Sequence, residues 1–203
     1  MKGEADVGRL AFLMVLALAA GAASADIIQW DFAPAGEGTF AVSSSQLTQT
    51  VPDEFVMAAG CSQYGCPGLA AGNFVTDGTD PTVWIAQTIQ NDTTFDWTDY
   101  HITIGMTQAF TITGVIAPDN WTWNITAPAA GTGPDGTAGY VGDVDYSVGS
   151  GSPIVQGASG DFGLIVHFNG SIAYCTEQIP TPEPATLGLL ALAGSALLAR
   201  RRR

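Results

Sequence analysis

The densest run of chemically capable side chains is Asn91-Asp92-Thr93-Thr94-Phe95-Asp96-Trp97-Thr98-Asp99-Tyr100-His101-Ile102. Such a run can form a ligand loop. Trp97 and Tyr100 would stack on a sugar ring, while Asp96 and Asp99 bind its hydroxyls or a calcium ion. The same run can form a strand–turn–strand corner. Phe95 and Trp97 then fill a core, and Asp92, Asp96 and Asp99 cap turns through Asx hydrogen bonds. We favour the corner. Trp84, Trp121 and Trp123 complete the candidate carbohydrate platform. In an alternating strand Trp121 and Trp123 share a face, which suits either a core or a stacking surface. Solvent exposure separates the two readings.

Other constellations are sparser. Calcium needs six to eight oxygens, several of them from carboxylates. Asp77 with Asp80, and Asp143 with Asp145, supply candidate pairs for a structural calcium site, and neither matches an EF-hand loop. His101 and His167 are the two histidines, and both fall in strand-like segments. There is no Gly-x-Ser-x-Gly elbow and no distinctive nucleophile, so enzymatic function and an organic cofactor are not expected. Three cysteines with two distant histidines lack zinc spacing. Cys61 and Cys66 close a short loop, and a Cys61–Cys66 disulfide is the first expectation. The alternative joins Cys175 to one of them. Asn91, Asn120, Asn124 and Asn169 each begin an Asn-x-Ser/Thr triplet and are candidate glycan acceptors.

The elements that must position these groups read as strands. Val83 to Ile89, His101 to Ile104, Phe110 to Thr113 and Trp121 to Thr126 carry β-branched and aromatic residues, several in strict alternation. Leu164 to Phe168 is more fully apolar, and Ile27 to Phe32 supplies a first strand. Phe40 to Val42, Leu47 to Val51, Phe55 to Ala58 and Tyr140 to Val148 are weaker candidates. Asp77-Gly78, Pro118-Asp119-Asn120, Gly133-Pro134-Asp135-Gly136 and Gly149 to Pro153 punctuate them as turns. The fold expected is all-β: an antiparallel two-sheet β-sandwich, jelly-roll or Ig-like, over residues 26–176. Ala127 to Gly139, rich in Gly, Ala and Pro, is expected as a long loop or flap. Residues 177–181 are expected as a linker.

Charge is distributed unevenly. The 203-residue chain holds six basic residues: Lys2, Arg9 and Arg200 to Arg203. Between Arg9 and Arg200 there is neither Lys nor Arg, and Asp26 to Glu183 holds 17 of the 19 acidic residues. A domain of this kind has no Lys or Arg salt bridges and relies on apolar burial and hydrogen bonds. Its acidic groups repel one another and disfavour nucleic acid and anionic membranes as partners. Neutral polysaccharides, basic surfaces and divalent cations remain open.

The two ends read as processing segments. Residues 1–25 have a signal-peptide layout: an apolar run from Leu10 to Ala20, then Ala23-Ser24-Ala25, with Ala23 and Ala25 as the small residues of a signal peptidase site. At the other end, Pro182-Glu183-Pro184 precedes an apolar run from Ala185 to Ala199 and then Arg200, Arg201, Arg202 and Arg203. As a helix that run spans about 22 Å, short of a ~30 Å hydrocarbon core, so it suits a transient inner-membrane hold. The prolines keep the Glu183 region extended. The tripeptide, the apolar run and the arginine tail, over residues 182–203, resemble the PEP-CTERM sorting signal of Gram-negative and related bacteria. The resemblance implies cleavage near Glu183 by an exosortase-type membrane protease and delivery to the cell surface or extracellular matrix. It further implies a structural or adhesive role among exopolysaccharide and biofilm. A carbohydrate-binding module is the alternative, and a secreted hydrolase a more distant one.

Overall fold

A computed structural model describes residues 26–182 apart from Glu37, Gly78 and Thr79. The expected signal peptide, with Ala23 and Ala25, lies outside the described residues. So do Glu183, Pro184, the short transmembrane helix and Arg200 to Arg203.

Among the described residues the chain forms eleven strands and no helix. In order they are β1 (Ile27–Pro34), β2 (Phe40–Val51), β3 (Glu54–Gln63), β4 (Gly68–Thr76), β5 (Thr82–Asn91), β6 (Trp97–Met106), β7 (Phe110–Ile116), β8 (Thr122–Thr132), β9 (Ala138–Ser147), β10 (Ser159–Phe168) and β11 (Ile172–Pro182). They build a six-stranded sheet, β1-β4-β11-β6-β9-β8, and a five-stranded sheet, β2-β3-β5-β10-β7. Every pairing is antiparallel except β3 with β5, which is parallel. That pair corrects the expectation of wholly antiparallel sheets. β4 intervenes in sequence but lies in the other sheet, so the chain returns along β5 in the direction of β3.

Alternation explains how the two sheets close on one another. Along β5, Val83, Ile85, Gln87, Ile89 and Asn91 are buried, while Trp84, Ala86, Thr88 and Gln90 face outward. Aromatic rings then bridge the sheets. Phe162 of β10 stacks on Tyr100 of β6 at 4.3 Å between centroids and meets Tyr146 of β9 edge-on at 5.2 Å. Phe74 of β4 stacks on Phe168 of β10 at 5.9 Å. Each fully buried Phe contributes roughly 1.5–3 kcal/mol through the water it sheds.

Two expectations give way, and one strand was not expected. Residues 177–181 are not a linker. They continue β11, which lies between β4 and β6 and pairs with β6 through Pro182, so the folded domain extends past residue 176. Ala127 to Gly139 is mostly strand: β8 runs to Thr132 and β9 starts at Ala138. Only Gly133 to Thr137 turns, closed by Gly136 N–H to Gly133 O at 2.9 Å and by Gly136 at φ +81°. β4 carries no sequence signal, because Gly68, Ala70, Ala71 and Gly72 have weak strand preference. Their smallness is what the packing needs: a Cβ on Gly72 would collide with the Asp31 carbonyl of β1.

Candidate functional site

The segment from Asn91 to Ile102 is the corner. Asn91 is wholly buried, and its Nδ2 donates to Phe95 O at 2.9 Å and to Ile154 O at 2.8 Å. Its Oδ1 accepts from Thr93 N at 3.0 Å and from Thr93 Oγ1 at 2.6 Å. Trp97 Nε1 in turn donates to Thr93 Oγ1 at 3.0 Å. The Asx turn therefore belongs to Asn91 and not to the aspartates expected to cap it. Asp96 instead accepts from Gln156 N, and Asp92 from Gln90 Nε2. Burial also removes Asn91 from the candidate glycan acceptors, whereas Asn120, Asn124 and Asn169 are exposed.

The carbohydrate platform dissolves for the same reason. Trp97 and Tyr100 are 0 % exposed and Trp121 is 4 % exposed, so all three are core and cannot stack on a ligand. Trp121 lies outside β8, in the turn from Pro118, so it does not share a face with Trp123. It packs edge-on against Phe162 and donates from Nε1 to Ser152 O. Of the five platform candidates Trp84 is half-buried on β5, and Trp123 alone sits in solvent, at 53 % exposure on β8.

Tyr100 anchors a buried polar network that the sequence did not disclose. Its Oη lies 2.6 Å from Gln63 Oε1 and 2.6 Å from Gln178 Oε1. Gln63 Nε2 donates to Gln178 O, and Gln178 Nε2 to Gln87 Oε1. The network joins β3, β5, β6 and β11 across both sheets. Burial pushes the Tyr100 phenol well above its ordinary value, with Cys61 and Tyr146 adding to the effect. Alternation is the one sequence clue: Gln63, Gln87 and Gln178 all occupy inward positions.

The expected Cys61–Cys66 disulfide is replaced by free thiols. Cys61 points inward from β3 toward Gln87, and burial raises it to about 12. Cys66 lies beyond the turn at Gly65, exposed, with its Sγ 3.6 Å from Pro180 O. Cys175 is also free, which sets aside the alternative bridges. It sits on β11 beneath the β8–β9 turn and is raised to about 11, chiefly by burial.

The outward faces of the two sheets differ. On the six-stranded sheet His101 Nδ1 meets Asp145 Oδ1 at 2.7 Å, and Thr103 Oγ1 donates to Asp143 Oδ1 at 2.7 Å. Asp77 accepts from the backbone of Asp26, and Asp80 lies 3.8 Å from His167. Each candidate calcium ligand thus has a protein neighbour. Among the described residues no three His, Cys, Asp or Glu side chains form a metal-binding group.

On the five-stranded sheet small residues align across strands. Gln46, Ala58, Ala86, Gly163 and Ile116 pair successively from β2 to β7. The neighbouring rung is Ser44, Gly60, Thr88 and Asp161. Apart from Gly163, these residues line an open groove of about 490 Å³, in which Thr88 Oγ1 donates to Asp161 Oδ1 at 2.7 Å. On the other side of the small rung lie Val56, Trp84 and Ile165. The groove is therefore floored by Ala and Gly, edged by hydroxyl, amide and carboxylate groups, and flanked by a half-buried tryptophan.

The last strand leads directly into the processing segment. Pro180, Thr181 and Pro182 pair with Tyr100, Asp99 and Trp97 of β6. Residues 180–203 match the family described as the PEP-CTERM protein-sorting motif. The chain carries this sorting signal. Its first three residues are thus already part of the folded sheet. The PEP-CTERM motif indicates export through a membrane-anchored intermediate to the cell surface, with processing by the exosortase membrane protease. No curated protein and no solved structure matches the chain.

Proposed function

We propose that the acidic domain is a non-enzymatic surface or matrix protein that adheres to neutral exopolysaccharide through the groove of its five-stranded sheet. The observation that carries this reading is the cross-strand alignment of small residues beside Gln46, Ser44, Thr88 and Asp161. A neutral polyhydroxyl chain fits such a trough. Its ring faces can lie on apolar Ala and Trp surface, and its hydroxyls can exchange hydrogen bonds with amide, hydroxyl and carboxylate. The surrounding acidity disfavours polyanionic chains. Jelly-roll connectivity supports the reading over an Ig-like one. The order β4-β11-β6-β9 faces β5-β10-β7, so successive strands from β4 to β7 and from β9 to β11 alternate between sheets.

Cosedimentation of the exported protein with insoluble neutral and uronic-acid polysaccharides tests the proposal. Retention on neutral polymer, reduced at least tenfold by Ala86→Phe with the circular dichroism spectrum unchanged, is the expected result. Equal retention by wild type and Ala86→Phe would transfer the role to another surface, and Trp123→Ala then tests the one solvent-exposed tryptophan of the expected platform.

A further inference from the structure

We propose that signal-peptide removal creates a new cation at Asp26 and seats it on the carboxylate of Asp77, locking the first strand of the mature domain. Asp26 N lies 2.9 Å from Asp77 Oδ1. Asp77 N donates back to Asp26 O at 3.2 Å. The two residues thus close the end of the β1–β4 ladder, where Ile27 pairs with Thr76. In the precursor the Asp26 nitrogen is a neutral amide. Hydrolysis of the Ala25–Asp26 bond adds one water: Ala25 departs as the carboxylate of the signal peptide, and Asp26 keeps the nitrogen as an ammonium group. An amide–carboxylate hydrogen bond, charged on the acceptor side alone, becomes a hydrogen-bonded ion pair between the same two atoms.

Composition makes this pair singular. Between Asp26 and Ala199 the sequence has no Lys or Arg, so the ammonium group is the only cation there besides a protonated histidine. It lands at an outer strand, since β1 is at the edge of the six-stranded sheet and is held there by β4. Lysine is one of the devices that guard edge strands against edge-to-edge association, and this domain has none. Cleavage one residue earlier or later would displace the charge from Asp77. The fold thereby distinguishes the correctly cut N-terminus from its neighbours.

The mature protein offers a direct test, because Lys2 leaves with the signal peptide and one amine remains. Protein recovered from exporting cells is sequenced from its N-terminus, then reductively methylated with ¹³C-formaldehyde. The single dimethylamine resonance is titrated beside that of a dimethylated Asp-Ile-Ile peptide. The expected result is Asp26 as the first residue, with its amine titrating at least about half a pH unit above the peptide. Asp77→Asn should abolish that difference. Asp80→Asn, which removes a carboxylate that faces His167, should leave most of it. Another first residue overturns the proposal, as does an amine that titrates with the peptide or responds equally to both substitutions. If Asp77→Asn does not fold, the wild-type titration against the peptide decides alone.

Discussion

At the scale of the residue, one buried hydroxyl coordinates four strands. Tyr100 Oη reaches the side-chain oxygens of Gln63 and Gln178, and Gln178 passes the connection to Gln87. Each of these polar groups is desolvated, so each depends on its partner. Tyr100→Phe keeps the ring that stacks on Phe162 but removes the one buried proton that the Gln63 and Gln178 side-chain oxygens share. We expect a loss of about 1–3 kcal/mol in urea denaturation, with the slope of the transition unchanged. An unchanged midpoint would show that the hydroxyl is dispensable. The aromatic and polar residue types were legible in the sequence as material for a site. Whether Trp97 and Tyr100 served a ligand or a core was not, because alternation places them on a face without saying which face is covered.

At the scale of the element, β11 is the strand that decides whether the six-stranded sheet exists. It separates β4 from β6, and its second half contributes Gln178 to the buried network. A chain that ends at Thr176 would strip β6 of its β11 partners from Thr103 to Trp97 and leave it paired there with β9 on one side. We expect a 26–176 fragment to lack the near-ultraviolet circular dichroism and the cooperative melt of a 26–182 fragment. Equal melts would return residues 177–181 to the status of a linker. The segment reads poorly in sequence because Pro180 and Pro182 argue against a strand. Proline is tolerated here at the end of the element, where the ladder with β6 is already irregular between Thr181 and Pro182. The β8–β9 hairpin shows the reverse. Its turn was legible from Gly133-Pro134-Asp135-Gly136, and the outer parts of its arms from Trp121 to Thr126 and Tyr140 to Val148, yet Ala127 to Thr132 was not, since Ala, Gly and Pro have low strand preference and that half of β8 is held by pairing with β9.

At the scale of the whole molecule, acidity and burial combine in the response to pH. Cys61 is raised to about 12 and Cys175 to about 11, and burial raises Tyr100, Tyr146 and Tyr174 as well. Unfolded thiols and phenols ionise near about 8.5 and 10. Above those values the unfolded chain binds fewer protons than the folded one, so stability falls as pH rises. The contribution is complete below about pH 8.5 and disappears progressively toward pH 12. Thermal melts from pH 7 to pH 11 should therefore show a falling midpoint, and Cys61→Ser/Cys175→Ser should make that decline shallower than in wild type. A midpoint constant to pH 11 would contradict the burial of these groups.

The sequence by itself determined the class and the destination of the protein. Period-two alternation requires strands with one covered face, and the order of Pro-Glu-Pro, apolar run and arginines is a local code that needs no fold to be read. It also determined the electrostatics, since composition alone excludes Lys and Arg pairs from the domain. Tertiary structure decided which candidates are core and which are surface. Strand order brings Gln46, Ala58, Ala86, Gly163 and Ile116 into one rung, and puts Tyr100 between Gln63 and Gln178. These neighbours are distant along the chain, and only the pairing register makes them adjacent. The same holds for Asp26 and Asp77, whose contact depends on β1 lying along β4.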